Sequence, residues 1–152
     1  MTKEQILAKL TASCARAEHC LDDMRKKMER WQVEVDVQEE ALRYLVKEKF
    51  IDESRYARYF INDKIKYNRW GRRKVEQALY FKHIPREVYQ PILDEMADDD
   101  YEEILLPLLQ TKVKSVKYNS DYEKRMKLIR FAMQRGFSYS QAETCVSKLQ
   151  EK

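Results

Sequence analysis

Glycine, proline and cysteine are scarce in this 152-residue chain, which holds two glycines, three prolines and three cysteines. An all-β fold needs many turns, and turns draw heavily on glycine and proline, so their scarcity favours helices. The three cysteines are odd in number and show no paired spacing, which argues against a disulfide framework and suits a reducing cytosol. We therefore expect a helical, soluble intracellular protein.

Long apolar runs and phosphate-binding loops are also missing. No apolar run approaches the roughly 18 to 20 residues of a membrane span, and residues 1–10 lack the long apolar centre of a signal peptide. Neither a Gly-rich phosphate loop, a His-Glu metal motif nor a hydrolase elbow occurs. His19 and Cys20 are adjacent, but a zinc site needs about four ligands. We expect a cytoplasmic protein that is not an enzyme and has no cofactor, no metal and no membrane contact.

Apolar residues recur at helical steps of three and four along most of the chain, and this spacing predicts about nine helices. The first two predicted helices cover residues 3–16 and 17–30. Asp36 is predicted to cap the third helix, and Asp52 or Ser54 the fourth, because short polar side chains accept from the exposed amides of a first turn.

The predicted helices repeat in threes, with each triplet spanning about 50 residues, as in helical arrays. Each junction between a second and a third helix carries two apolar residues five positions apart. These pairs are Met28 and Val33, Leu79 and Ile84, and Ala132 and Phe137. We predict an all-α fold of about nine helices arranged as three tandem three-helix, helix-turn-helix-like repeats in an elongated, curved array. The predicted domains are residues 1–50, 51–98 and 99–152.

Positive charge is concentrated in one stretch. Residues 55–86 hold ten Lys or Arg and two acids, a balance of 10 − 2 = +8, whereas the whole chain carries +4. Residues 87–103 then hold eight acids and no Lys or Arg. We interpret that acidic run mainly as helix-capping or charge-offsetting, with contact to a basic partner as the alternative.

The basic stretch is the main functional candidate because aromatic residues are interleaved with its cations. Cations attract phosphates or carboxylates, and aromatic faces stack on bases or fill partner pockets. The alternative is a solvated helical face over an aromatic core. The candidate partner-binding residues are Arg55, Arg58, Lys64, Arg69, Arg72, Arg73, Lys74 and Lys82.

The same stretch resembles the middle repeat of the RecX family, bacterial regulators of the RecA recombinase. The matching positions are Ile51-Asp52-Glu53, Arg55-Tyr56-Ala57, Phe60-Ile61, Lys64, Gly71, Arg72-Arg73, Val75, Leu79 and Lys82-His83-Ile84. Arg135-Gly136-Phe137-Ser138 is similar to the Arg-Gly-Phe turn of the family's third repeat. His83 stands where the family usually has glycine, so that helix must end without the residue that most easily becomes left-handed.

The resemblance implies a non-enzymatic protein that lies in the helical groove of the RecA filament on single-stranded DNA. Such a protein limits filament growth or promotes disassembly, and so restrains recombination, DNA repair and the SOS response. The expected partner is the RecA filament, with single- or double-stranded DNA as a second candidate, and we expect a monomer. The alternative function is direct DNA binding by a basic helical face, since the predicted triplets resemble helix-turn-helix units.

Overall fold

The computed structural model describes the backbone of residues 1–150 and the side chains of residues 1–149. Within this part the chain forms nine α-helices and no strand, so the predicted all-α class and helix number are confirmed. The helices are α1 (Lys3–Arg16), α2 (Leu21–Arg30), α3 (Val35–Lys47), α4 (Glu53–Lys66), α5 (Arg72–Phe81), α6 (Arg86–Leu93), α7 (Asp98–Lys112), α8 (Asp121–Gln134) and α9 (Tyr139–Gln150). Among the described residues, no helix is long and apolar enough to cross a membrane.

The chain divides into two compact units, each built from separate segments. The first unit comprises Met1–Tyr59 and Leu79–Tyr89, and the second comprises Phe60–Ala78 and Gln90–Lys152. The division into three repeats at residues 1–50, 51–98 and 99–152 stays a prediction, as does the elongated shape.

In the first unit, the apolar stripes of α1, α2 and α3 meet in one core. Its buried members are Ile6, Leu10, Met24, Met28, Ala41, Leu42, Leu45 and Ile51. Burial of such stripes supplies most of the free energy that holds short helices in place. Val46 follows Leu45 on α3 but lies outside this core, since 46% of it is exposed.

Two predicted helix starts in the first unit are wrong. The predicted helix 17–30 begins only at Leu21, because Ala17 is fully extended (φ −161°, ψ 160°) and Cys20 is the N-cap residue. The third helix begins at Val35, one residue before the predicted cap Asp36. Asp36 therefore lies in the first turn, where its charge complements the helix dipole.

Asp52, one of the two predicted caps of α4, is confirmed as its cap, and Ser120 and Ser138 cap α8 and α9 in the same way. The oxygens Oδ1 of Asp52, Oγ of Ser120 and Oγ of Ser138 each lie 3.1 Å from the amide nitrogen three residues later. Each bond satisfies a donor that the helix itself leaves unpaired. In the second unit these starts orient α8 and α9, which pack with α7 around Tyr101, Leu105 and Phe137.

The three predicted five-residue spacings coincide with one kind of helix end. The amides of Val33, Ile84 and Phe137 donate to the carbonyls of Met28, Leu79 and Ala132 at 3.0, 3.3 and 3.2 Å. The residue before each donor is left-handed, with φ of 57° at Gln32, 60° at His83 and 99° at Gly136. This is the Schellman arrangement. His83 thus takes up the left-handed conformation although it is not glycine.

Candidate partner-binding surface

The eight candidate basic residues belong to two different units. Arg55, Arg58 and Lys82 are in the first unit, whereas Lys64, Arg69, Arg72, Arg73 and Lys74 are in the second. The two sets are therefore two separate candidate surfaces, one on each unit.

In the first unit, Arg55 and Lys82 are both paired with carboxylates of the same unit. The Nε of Arg55 lies 2.7 Å from a Glu18 carboxylate oxygen, and its Nη2 donates to the Phe50 carbonyl at 3.2 Å. Lys82 Nζ lies 3.3 Å from Asp23 Oδ1. Arg58 is exposed on α4.

The ion pair of Lys82 belongs to a small charged cluster at the start of α2. Burial acts to raise the pKa of Asp23, but Lys82, the Cys20 amide and His19 together hold it below its ordinary value. The neighbouring Asp22 is 2.9 Å from Nδ1 of His83. These pairs fasten the end of α5 to α2 inside the first unit.

In the second unit, Arg72 is bound to two carboxylates. Its Nε lies 2.6 Å from Glu76 and its Nη2 lies 2.7 Å from Asp94. Burial acts to lower the pKa of Arg72, but the hydrogen bonds and charges of these carboxylates raise it above its ordinary value. A guanidinium held in this way joins α5 to the end of α6, with its Nε and Nη2 each paired to a carboxylate.

Lys64 and Lys74 both lie against the ring of Trp70. Their Nζ atoms are 5.4 and 4.7 Å from its centroid, within the range of cation–π attraction. The ring is half-buried, as are both lysines. The arrangement fixes the direction of two positive charges that would otherwise sit on flexible stems.

Arg69 and Arg73 are exposed, and the backbone beside them is fixed by Arg135 and Gly136. The Arg135 guanidinium donates to the Asn68 carbonyl at 2.5 Å and to the Arg69 carbonyl at 3.4 Å. The Gly71 amide donates to the Arg135 carbonyl at 2.8 Å, and the Arg73 amide donates to the Gly136 carbonyl at 3.1 Å. The start of α5 is thereby tied to the turn between α8 and α9.

Both glycines of the chain lie at this contact. A Cβ on Gly71 would fall 2.3 Å from the Gly136 carbonyl carbon, and a Cβ on Gly136 would fall 2.6 Å from Lys74 Cβ. Gly71, which directly precedes α5, therefore lets two backbones approach more closely than any other residue would allow.

A shallow groove lies beside Arg73 in the second unit, with a volume of about 510 Å³. Besides Arg73, its lining consists of Met126, Ile129, Arg130, Met133, Gln134 and Tyr139. Sequence reasoning included none of these six residues in a site. Their spacing along one face of a helix was visible, but periodicity alone could not show that this face borders a groove rather than a core.

The thiols of Cys20 and Cys145 are buried, and both histidines pair with aspartates. Burial raises the pKa of Cys20 and of Cys145 to about 11 in each case, which disfavours the nucleophilic thiolate. Cys14 is a free thiol as well, and His19 pairs with Asp23 at 3.2 Å. In the described part of the chain, no group of three or more His, Cys, Asp or Glu is placed to hold a metal ion.

Family models match two parts of the chain. The model described as "RecX, third three-helix domain" matches residues 98–146, and the model described as "RecX, second three-helix domain" matches residues 52–90. Together these matches cover more than half of the chain.

Curated relatives and solved structures carry the same name. "Regulatory protein RecX" of Finegoldia magna is 33% identical over 61% of this chain and 46% of the relative. That of Chlorobium limicola is 26% identical over 86% of this chain and 80% of the relative. The crystal structure of RecX from Lactobacillus salivarius has a TM-score of 0.81 at 16% identity, covering 98% of this chain and 99% of that one.

The length match is uneven. The chain spans about half the length of the first curated relatives it matches, 46% for Finegoldia magna and 47% for Clostridium botulinum. At 16% identity, the similarity to the solved structure shows the fold alone. The family models add the sequence signature of two RecX three-helix domains, and on these grounds the chain belongs to the RecX family of regulatory proteins.

Proposed function

We propose that this chain binds the RecA filament on single-stranded DNA and limits its extension or activity, without catalysing a reaction. By doing so it modulates homologous recombination, DNA repair and the SOS response. Membership of a family of regulatory proteins supports the regulatory role. The single observation that supports direct contact with the filament concerns Arg69 and Arg73. Both side chains are exposed, and hydrogen bonds hold the backbone that carries them.

The two proposed contact surfaces, one on each unit, keep all eight basic candidates but give them unequal roles. Arg58, Arg69 and Arg73 are exposed and meet the partner directly. Lys64 and Lys74 present their charges beside the Trp70 ring. Arg55 and Lys82 chiefly stabilise the first unit through ion pairs, and Arg72 does the same in the second unit. Guanidinium suits this task because its fork matches carboxylate and phosphate oxygens.

Individually weak contacts are sufficient for a repetitive partner. An exposed ion pair contributes about 0 to 1 kcal/mol. A filament repeats the same surface, so contacts made to adjacent RecA subunits act together and raise the overall affinity. We infer that the chain acts as a monomer in the cytoplasm, where the filament forms.

The test of this function is a titration of RecA's single-stranded-DNA-dependent ATP hydrolysis with the intact chain. We expect the hydrolysis rate to fall as the chain is added at concentrations comparable to RecA. A rate unchanged by excess protein would remove the proposal.

Direct DNA binding is the second candidate, because Tyr67, just after α4, is 80% exposed and lies in the sequence between Lys66 and Arg69. A stacking aromatic beside cations is the usual arrangement of single-strand binders. Tight binding to DNA without RecA, with a steep loss of affinity as salt rises, favours this candidate. Weak binding to DNA alone favours the filament.

A further inference from the structure

The groove beside Arg73 is built from one face of α8. Met126, Ile129, Arg130, Met133 and Gln134 follow the spacing of three and four that places residues on a single helical face. Arg73 of α5 closes one side, and Tyr139, the first residue of α9, also lines it. The lining is therefore an apolar floor about two helical turns long with polar groups around it.

The floor is open to solvent yet firmly supported. Ile129 is 3% exposed and anchors the floor, while Met126 and Met133 are half-buried and Tyr139 is 52% exposed. The Arg73 amide is bonded to Gly136 just beyond the end of α8. The groove is thus largely formed before any partner arrives, which lowers the entropic cost of binding.

The charge of the lining is one-sided. Two guanidinium groups, Arg73 and Arg130, border the groove, and none of its seven lining residues is acidic. Methionine side chains adapt to apolar shapes of different outline. The lining is therefore complementary to an apolar side chain flanked by carboxylates.

We propose, building on the proposed function, that this groove binds an acidic segment of the RecA protein. An apolar side chain of that segment enters between Met126, Met133 and Tyr139, and its flanking carboxylates pair with Arg73 and Arg130. Protein rather than DNA is the occupant because the floor holds thioethers and one aromatic ring. A strand of bases needs a row of aromatic faces instead.

The apolar part of this contact is tested by a variant that keeps every charge, Met133→Gln with Tyr139→Ser. The measurement is its affinity for RecA filaments on single-stranded DNA at two salt concentrations. Loss of two anchors in a pocket should weaken binding about tenfold or more, with the salt dependence unchanged. The matched control is Met96→Gln with Tyr122→Ser, which removes a half-buried methionine and an exposed tyrosine outside the groove and should bind like the parent chain.

The charged part is tested by Arg130→Glu, an exposed position whose replacement leaves the core intact. Its binding should weaken and become less sensitive to salt. Thermal unfolding verifies that each variant folds. Should the methionine–tyrosine pair unfold, Tyr139→Ser alone is measured, and a several-fold loss is expected.

The results of these binding experiments distinguish failure of the groove proposal from failure of the proposed function. If the parent chain does not bind the filament, both are overturned. If the parent binds and the groove variants bind equally well, the groove assignment is overturned while the function stands. If the variants instead lose affinity for single-stranded DNA in the absence of RecA, the occupant is nucleic acid and the inference is overturned.

Discussion

Gly71 and Gly136 lack side chains, and this lets their backbones approach and fix the start of α5. Their backbones approach so closely that a Cβ on Gly71 would lie 2.3 to 2.4 Å from atoms of Gly136 and the Phe137 amide. Those atoms are backbone and cannot rotate away, unlike the end of a flexible side chain. The close approach sets the start of α5 and, with it, the direction of Arg73.

Gly71→Ala is expected to lower the free energy of unfolding by about 3 kcal/mol or more, because the added methyl group overlaps fixed backbone. Gly→Ala at an unstrained position would instead stabilise by a few tenths to about 1 kcal/mol, so the sign is diagnostic. Chemical denaturation of both proteins measures the difference.

Gln77→Ala serves as the control for that experiment. Gln77 is exposed on α5, and its replacement should change stability by no more than about 0.5 kcal/mol. A Gly71→Ala protein as stable as the Gln77→Ala protein would mean that the two glycine backbones do not touch.

Arg72 illustrates what a sequence can and cannot show about a single residue. Its pairing with Glu76 was readable, since the two lie four apart on one helix. Its second partner, Asp94, comes from α6 and could not be read from local spacing. Counting charges therefore gave Arg72 and Arg73 the same status as partner-binding candidates. In the structure, Arg72 is paired with two carboxylates, whereas Arg73 is exposed.

At the scale of elements, the helix ends were predicted best where the signal is local. Asp52 was identified as a candidate cap because a short polar side chain three residues before an amide is a short-range arrangement. The break before Leu21 was missed because helical spacing continues through residues 17–20, which contain neither glycine nor proline. The approach of Gly71 to Gly136 joins distant parts of the chain and has no local signal.

The shared Schellman ends make a prediction at His83. His83→Gly should be more stable than His83→Ala by about 1 kcal/mol, because alanine pays the steric cost of a left-handed backbone and glycine does not. Both variants lose the bond to Asp22, so the difference between them isolates the backbone term. Thermal or chemical unfolding of the pair gives the value.

At Gln77 the same two substitutions should give the opposite order of stability, with the alanine variant more stable than the glycine variant. In a regular helix alanine is favoured over glycine by about 1 kcal/mol. If the alanine variant were the more stable one at position 83 as well, His83 would not be left-handed. The end of α5 would then lack the Schellman arrangement found at Gln32 and Gly136.

At the scale of the whole molecule, charge and family membership answer different questions. The excess of basic residues is compatible with any polyanion, and only the matches at Asp52, Arg55-Tyr56-Ala57 and Gly71-Arg72-Arg73 pointed to the RecX family. The family models cover the second and third three-helix domains, whereas residues 1–51 lie outside both matches. The proposed function therefore depends most on the second unit, which contains Arg69, Arg73 and the groove.

The central claim is that Arg69 and Arg73 meet the RecA filament directly. The most direct measurement is the concentration of chain that halves RecA's DNA-dependent ATP hydrolysis, for the parent, for Arg69→Glu with Arg73→Glu, and for Lys114→Glu with Lys117→Glu. The second pair makes the same charge change at exposed lysines after α7. We expect that concentration to rise about tenfold or more for the arginine pair, because each reversal replaces an attraction by a repulsion, and to change little for the lysine pair. Equal inhibition by the two folded variants would contradict the claim.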